Sequence, residues 1–173
     1  MKRSTRAAPK PRVGVVLGSD SDLPVMEETL SVLEEAGVRF EVRILSAHRA
    51  PEVAARYAKG AARRGLKVLI AAASGAAHLA GALAANSVLP VIGVPLEGTR
   101  FKGTDAFLST LQMPPGVPVA TVSVGRWGAR NAGLLAISIL ALERPGLARY
   151  IKRLKRELLT TTLKKDRKLK RNR

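Results

Sequence analysis

The sequence predicts a three-layer αβα fold: a five-stranded parallel sheet with helices on both faces and strand order 2-1-3-4-5. Three observations predict it. Short runs of Val, Ile, Leu and Ala alternate with segments of helical periodicity along most of the 173 residues, the pattern of repeated strand–helix–strand units with right-handed crossovers. Those runs are apolar almost throughout, as in strands buried on both faces. No internal repeat and no linker divides the core, so residues 13 to 150 read as one domain.

Each element has its own signal. "RVGVVLG" (12–18) is a Val-rich strand ending in Gly, and "SDLPVMEETLSVLEEAG" follows with Val25, Met26, Leu30 and Leu33 at helical spacing and Gly37 as a stop. "RFEVRILS" is the second strand, and "PEVAARYAKGAARRG" a helix with Pro51 at a permitted first-turn position. "KVLIAAAS" is the third strand, "AAHLAGALAANS" a short helix of small residues, and "LPVIGVPL" the fourth strand. A short helix over 104–112 and a fifth strand, "VPVATVSVG", come next. "ARNAGLLAISILALE" is apolar almost all round, which predicts a buried helix. A last amphipathic helix from about Leu147 is expected to give way to a basic tail.

The net charge of +17 belongs mainly to the ends. Residues 1–12 form a basic arm with five Lys or Arg and no acid, and residues 151–173, a C-terminal helix and tail, carry eleven against two. Such runs read as solvated arms, with contact to RNA or another polyanion as the alternative. Neither end has the interleaved aromatics that base stacking uses. Cysteine is absent, which excludes disulfides and thiolate metal sites. No apolar run reaches the roughly 18 residues of a membrane span, and the basic N-terminus lacks a signal-type apolar segment, so a cytoplasmic location is expected.

In open parallel sheets, ligands sit at the carboxyl ends of the strands, where the winding reverses. Strand 1 ends in "GSDSD" (18–22), strand 2 in "SAHR" (46–49) and strand 3 in "ASGAAH" (73–78), so one pocket is expected where these neighbours meet. Ser19 and Ser21, with exposed backbone N–H groups at a helix start, suit an anion. Asp20 and Asp22 suit ribose hydroxyls, beside the blander role of helix capping. Ser74 and Gly75 let a ligand approach the backbone. Arg49 offers a planar, five-donor group to phosphate, and His48 can take and return a proton near neutral pH. There is no GxxxxGK[ST] motif and no GxGxxG fingerprint. Two histidines without clustered acids or cysteines do not make a transition-metal site. The expectation is proton-transfer chemistry on a small phosphorylated or ribosyl ligand, with no cofactor required.

Taken together, "GSDSD", "SAHRAPE", "GAAHLAG", "GVP" and "QMPPGVPVAT" resemble the 5-(carboxyamino)imidazole ribonucleotide mutase family of purine biosynthesis, from about Val13 to Leu142. The resemblance implies a flavodoxin-like subunit in a homo-octamer with active sites near subunit boundaries. It implies conversion of 5-(carboxyamino)imidazole ribonucleotide to 4-carboxy-5-aminoimidazole ribonucleotide without metal or ATP. By motif, His48 is then the general acid and base, and Ser19 contacts the migrating carboxylate. Asp22 holds the ribose hydroxyls, while Ser21, Ser46 and Arg49 hold the phosphate. Ser74, Gly75, His78 and Leu79 line the base side, with Ala47 and Ala73 as further substrate contacts. His78 belongs to the mutase branch; the branch that carboxylates aminoimidazole ribonucleotide directly with CO2 differs here. Three positions depart from the family pattern: Ser74 stands where a second Gly is usual, Ala80 where Pro is usual, and Pro115 where Arg is common. The direct carboxylase, and a non-catalytic ribonucleotide- or RNA-binding protein on the same fold, are the alternatives.

Overall fold

The structure, a computed structural model, describes residues 10–171. Most of the N-terminal arm (1–9) and the last two residues of the tail lie outside the described residues. The elements run β1 (Val13–Leu17), a 3-10 turn (Asp20–Asp22), α1 (Leu23–Glu35), β2 (Phe40–Ile44), α2 (Pro51–Arg64) and β3 (Val68–Ser74). They continue with α3 (Leu79–Ala84), β4 (Val91–Leu96), α4 (Thr104–Leu111), β5 (Ala120–Thr121), α5 (Gly125–Ala141) and α6 (Pro145–Arg171). The chain forms two compact units divided between Ala136 and Ile137.

The first unit holds a five-stranded parallel sheet in the order β2-β1-β3-β4-β5, with helices on both faces. Its centre is made of the β-branched and leucine runs: Val13, Val15, Val16, Leu17, Val68, Leu69 and Ile70 are fully buried. Each such side chain contributes about 1.5–3 kcal/mol of apolar burial. On one face, Val16, Leu69 and Ala71 form a single cluster with Ala54, Tyr57, Ala58 and Ala61 of α2 and with Leu79, Ala80 and Leu83 of α3. Small residues on these helices let them sit close to the sheet. Pro51 opens α2, and Gly65 closes it in the left-handed conformation, its N–H reaching the carbonyls of Ala61 and Ala62.

Besides the C-terminal tail, three elements differ from the sequence expectation, each for a physical reason. β5 shrinks to Ala120–Thr121, because Pro118 has no N–H for the ladder and the strand lies at the sheet edge; beyond it only the Val122 N–H still reaches Gly93 O, at 3.0 Å. β2 is the other edge, and its Val42 and Ile44 are 37% and 55% exposed, so the sheet is not covered along that strand. α5 is buried on one side only. Ala129, Ala132 and Ala136 are buried, whereas Arg126, Asn131 and Ser138 are exposed and Trp127 is 82% exposed. The buried side is built for close approach: a methyl at Gly133 would stand 3.2 Å from the Thr29 carbonyl oxygen of α1, and the Thr29 hydroxyl donates to Ala129 O at 2.6 Å.

The second unit contains the end of α5 and α6. The expected basic tail is helical: α6 continues without a break to Arg171. Nothing after Gly146 is Gly or Pro, Leu, Lys, Arg and Glu all favour the helix, and the i,i+4 pairs Arg153–Glu157 (3.7 Å) and Lys170–Asp166 (3.0 Å) support it.

Candidate active site

The loops after β1, β2 and β3 meet at the carboxyl edge of the sheet. Parallel register brings them there: Leu17 pairs with Ile44 on one side and Ala72 on the other. The ladder runs one step further through Gly18 N–H to Ala72 O (2.9 Å) and Leu45 N–H to Leu17 O (2.8 Å). Between the three loops lies a pocket of about 370 Å3, lined by Gly18, Ser19, Asp22, Ser46, Ala47, His48, Arg49, Ala73, Ser74, Ala76 and Leu79.

The first loop is locked by its own side chains. Ser19 caps the 3-10 turn, accepting from Ser21 N–H (3.4 Å), while Asp22 reaches back to accept from Ser19 N–H (3.0 Å). Asp22 is therefore both a cap and a buried carboxylate facing the pocket. Burial pushes its carboxyl above the ordinary range and the nearby Asp20 charge adds to that, against the backbone N–H groups of Ser19 and Gly18. Asp20 is exposed and moves the other way, held down chiefly by the Ser19 hydroxyl. The Ser21 hydroxyl donates to Ser19 Oγ at 3.0 Å; Ser21 itself is exposed and not part of the lining.

The second loop is a tight turn closed by Ala50 N–H to Ser46 O (3.0 Å), with His48 at its apex. Ser46 Oγ accepts from Arg49 N–H (3.1 Å) and Arg49 Nε (3.4 Å), and Arg49 Nη2 donates to Gly18 O at 3.4 Å. The guanidinium is thus held across the first two loops, and three of its five N–H groups remain for an anion.

The third loop turns at Gly75, whose φ of +62° is open to glycine far more readily than to other residues. Ser109 of α4 fastens it, accepting from Ala77 N–H (3.0 Å) and donating to Gly75 O (3.4 Å). The same loop presents His78 to His48: Nδ1 of His78 lies 2.8 Å from Nε2 of His48, with the rings edge to face. One of those two nitrogens must carry the proton and the other the lone pair, so the contact is a ready line for proton transfer.

Of the twelve residues given a site role by the resemblance, nine line the pocket, and Asp20, singled out from its residue type, does not. Ser21, Gly75 and His78 are not in the lining: Ser21 and His78 are exposed and bond the lining residues Ser19 and His48, and Gly75 adjoins Ser74 in the chain. Gly18 and Ala76 line it without having been singled out, although both lie inside the quoted motifs. Ser109 escaped because its partners are more than 30 residues away in sequence, and no local pattern marks such a brace. Among the described residues, no group of three or more His, Cys, Asp or Glu could hold a metal. No described helix is long and apolar enough to cross a membrane.

Comparison with known proteins places this geometry. The sequence model of the AIR carboxylase family matches residues 12–161. The chain is 53% identical over 153 residues to the N5-carboxyaminoimidazole ribonucleotide mutase of Pyrococcus horikoshii, covering 86% of this chain and 85% of that protein. It is 52% identical over 167 residues to the mutase of the same name from Mycobacterium tuberculosis, covering 96% and 95%. The crystal structure of Treponema denticola PurE superposes with a TM-score of 0.82 at 29% identity, over 92% of this chain and 99% of that one. With a matching family model, relatives half identical over most of their length and a shared sheet topology, the chain belongs to the AIR carboxylase family.

Proposed function

We propose that the pocket binds 5-(carboxyamino)imidazole ribonucleotide and converts it to 4-carboxy-5-aminoimidazole ribonucleotide, with His48 moving the protons. The observation that carries the reading is the convergence of His48, Arg49, Ser19 and Asp22 on one pocket of nucleotide-fragment size, in a chain half identical to proteins named for that reaction.

The residue roles and steps are those that the family resemblance implies, set on these positions. Arg49, steadied by Ser46 and the Gly18 carbonyl, offers N–H groups to the phosphate, with Ser21 close by. Asp22 accepts from the ribose hydroxyls, and Ser19 holds the migrating carboxylate. Ala47, Ala73, Ser74, Gly75 and Leu79 flank the base. The carbamate C–N bond breaks, its electron pair stays on the exocyclic nitrogen, and protonated His48 supplies a proton there. The freed CO2 is attacked by the neighbouring ring carbon, which then bears both hydrogen and carboxylate. Neutral His48 removes that hydrogen as a proton, the ring regains aromaticity, and the imidazolium is restored. Proton count and charge balance over the cycle with one acid–base group and no cofactor. His78, 2.8 Å away, receives or returns a proton when His48 changes state.

CO2 must not escape between the two half-reactions, yet His48 and His78 are exposed in the single chain. A neighbouring copy that covers the mouth supplies the closed pocket such a step needs. The homo-octamer is part of this proposal, and the exposed Trp127 and the bare faces of β2 support it. So is the cytoplasmic location, since a phosphorylated substrate does not cross membranes unaided.

The test is turnover of purified enzyme on the carboxyamino substrate in bicarbonate-free buffer. Product formation at a rate unaffected by added CO2 is expected. Strict dependence on added CO2, with aminoimidazole ribonucleotide as the better substrate, would make the protein the direct carboxylase instead.

A further inference from the structure

The proposed reaction leaves the far end of α6 without a role. The family match stops at residue 161, but the helix runs ten residues further, to Arg171. Those ten residues hold Lys164, Lys165, Arg167, Lys168, Lys170 and Arg171 against one acid, Asp166. From the positions of these charges we infer that the distal half of α6 is a binding element for duplex DNA, gripping its phosphates without reading its sequence.

Three features of the helix carry this. The first is charge density. Residues 155–171 carry eight Lys or Arg and two acids, a net +6, over a length of about 25 Å at 1.5 Å per residue. That is roughly one net positive charge per 4 Å, close to the spacing of about 3.4 Å between phosphates along one DNA strand. The second is the distribution of charge around the axis. In the proximal half, Leu147, Ile151, Leu154 and Leu158 recur at intervals of four, three and four, an apolar stripe. Past Leu158 the stripe breaks at Thr162 and Lys165. Lys155 stands one turn before Leu159, and Lys165 one turn before Leu169, on the same faces as those leucines. Leu159 and Leu169 are both 59% exposed. A helix lying in a membrane surface needs an apolar side free of cations; this segment has cations all round, as a helix surrounded by phosphates would. The third is shape and composition. A bare helix of 10–12 Å diameter fits the B-form major groove, about 12 Å wide, but not the narrow major groove of A-form RNA. Residues 155–171 contain no aromatic side chain to stack on single-stranded bases, and no Asn or Gln to pair with adenine. The contact is therefore electrostatic.

The experiment is fluorescence anisotropy of the full chain with a labelled 30-base-pair DNA of arbitrary sequence, across salt concentrations. Four to six phosphate contacts predict a log–log salt slope of about −3.6 to −5.4, roughly 150- to 1,800-fold weaker binding between 50 and 200 mM salt. A variant with Lys164→Gln, Lys165→Gln, Arg167→Gln and Lys168→Gln should lose three to four units of that slope. Its turnover on the proposed substrate should be unchanged, and so should its helix content by circular dichroism. The wild-type slope stands as a test by itself should the variant fail to fold. No DNA binding at 50 mM salt, or a slope near zero, would overturn the inference. So would an unchanged slope in the variant, or tighter binding to duplex RNA or phosphatidylserine vesicles than to DNA.

Discussion

Arg49→Lys separates holding the substrate from transforming it. The substitution keeps the positive charge but removes the planar fork. In the structure, Nε and Nη2 of Arg49 are tied to Ser46 Oγ at 3.4 Å and Gly18 O at 3.4 Å, which leaves three N–H groups in a fixed plane toward the pocket. An ammonium on a flexible stem cannot keep both ties and still present two parallel donors to a phosphate. Losing one charge-assisted hydrogen bond costs about 1.5–3 kcal/mol, roughly 10- to 150-fold in affinity at 1.4 kcal/mol per tenfold. The phosphate is remote from the bonds that change, so the loss should fall on binding in ground and transition states alike. KM should rise by that factor while kcat stays within about threefold. Steady-state kinetics, with substrate binding by calorimetry, measures both. An unchanged KM, or a fall in kcat with KM intact, would refute the assignment of Arg49 to the phosphate end.

Asp22→Asn tests the opposing demands on a buried cap. Because burial raises the Asp22 carboxyl in the folded chain, its contribution to stability is fully present below the ordinary 3.8 and is lost as pH rises through the folded value. The Asn variant should therefore gain thermal stability relative to wild type at pH 7 but not at pH 3.5, while binding substrate more weakly; equal melting differences at both pH values would contradict the reading. Gly93→Ala tests the packing of β4: its new methyl would collide with Thr110 Cγ2 and lie 2.9 Å from Val119 Cγ1. A loss of about 1–3 kcal/mol in urea unfolding is expected from such overpacking, and an unchanged midpoint would show that α4 gives way freely.

What the sequence disclosed was whatever is encoded locally. A Val-rich run closed by Gly marked β1, an aliphatic and Ala-rich run closed by Ser marked β3, Pro51 and Gly65 bracketed α2, and the parallel sheet followed from alternation of the two periods. The site was legible for the same reason, since every pocket-lining residue lies within a few positions of a strand end. Properties that depend on distant partners were not legible. Pro118 hid inside a run that otherwise reads as a strand, so β5 looked longer than it is. The uneven burial of α5 is set by Thr29 and Val32 of α1, which no periodicity within α5 reports. The contact between His48 and His78 joins residues 30 apart, and only the shared edge of β2, β1 and β3 brings the rings together. α6 reads as a tail by charge alone, because charge runs suggest solvation, whereas helix propensity and the two i,i+4 pairs carry the helix through them.

His48→Asn is the direct test of the central claim, that this imidazole moves the protons of the reaction. Asn keeps a polar group of similar reach but cannot exchange a proton near neutral pH. Calorimetry should show substrate binding within a few-fold of wild type, and single-turnover kinetics a fall of at least about a hundredfold, the ordinary reach of general acid–base catalysis. Turnover within threefold of wild type, with binding intact, would contradict the account.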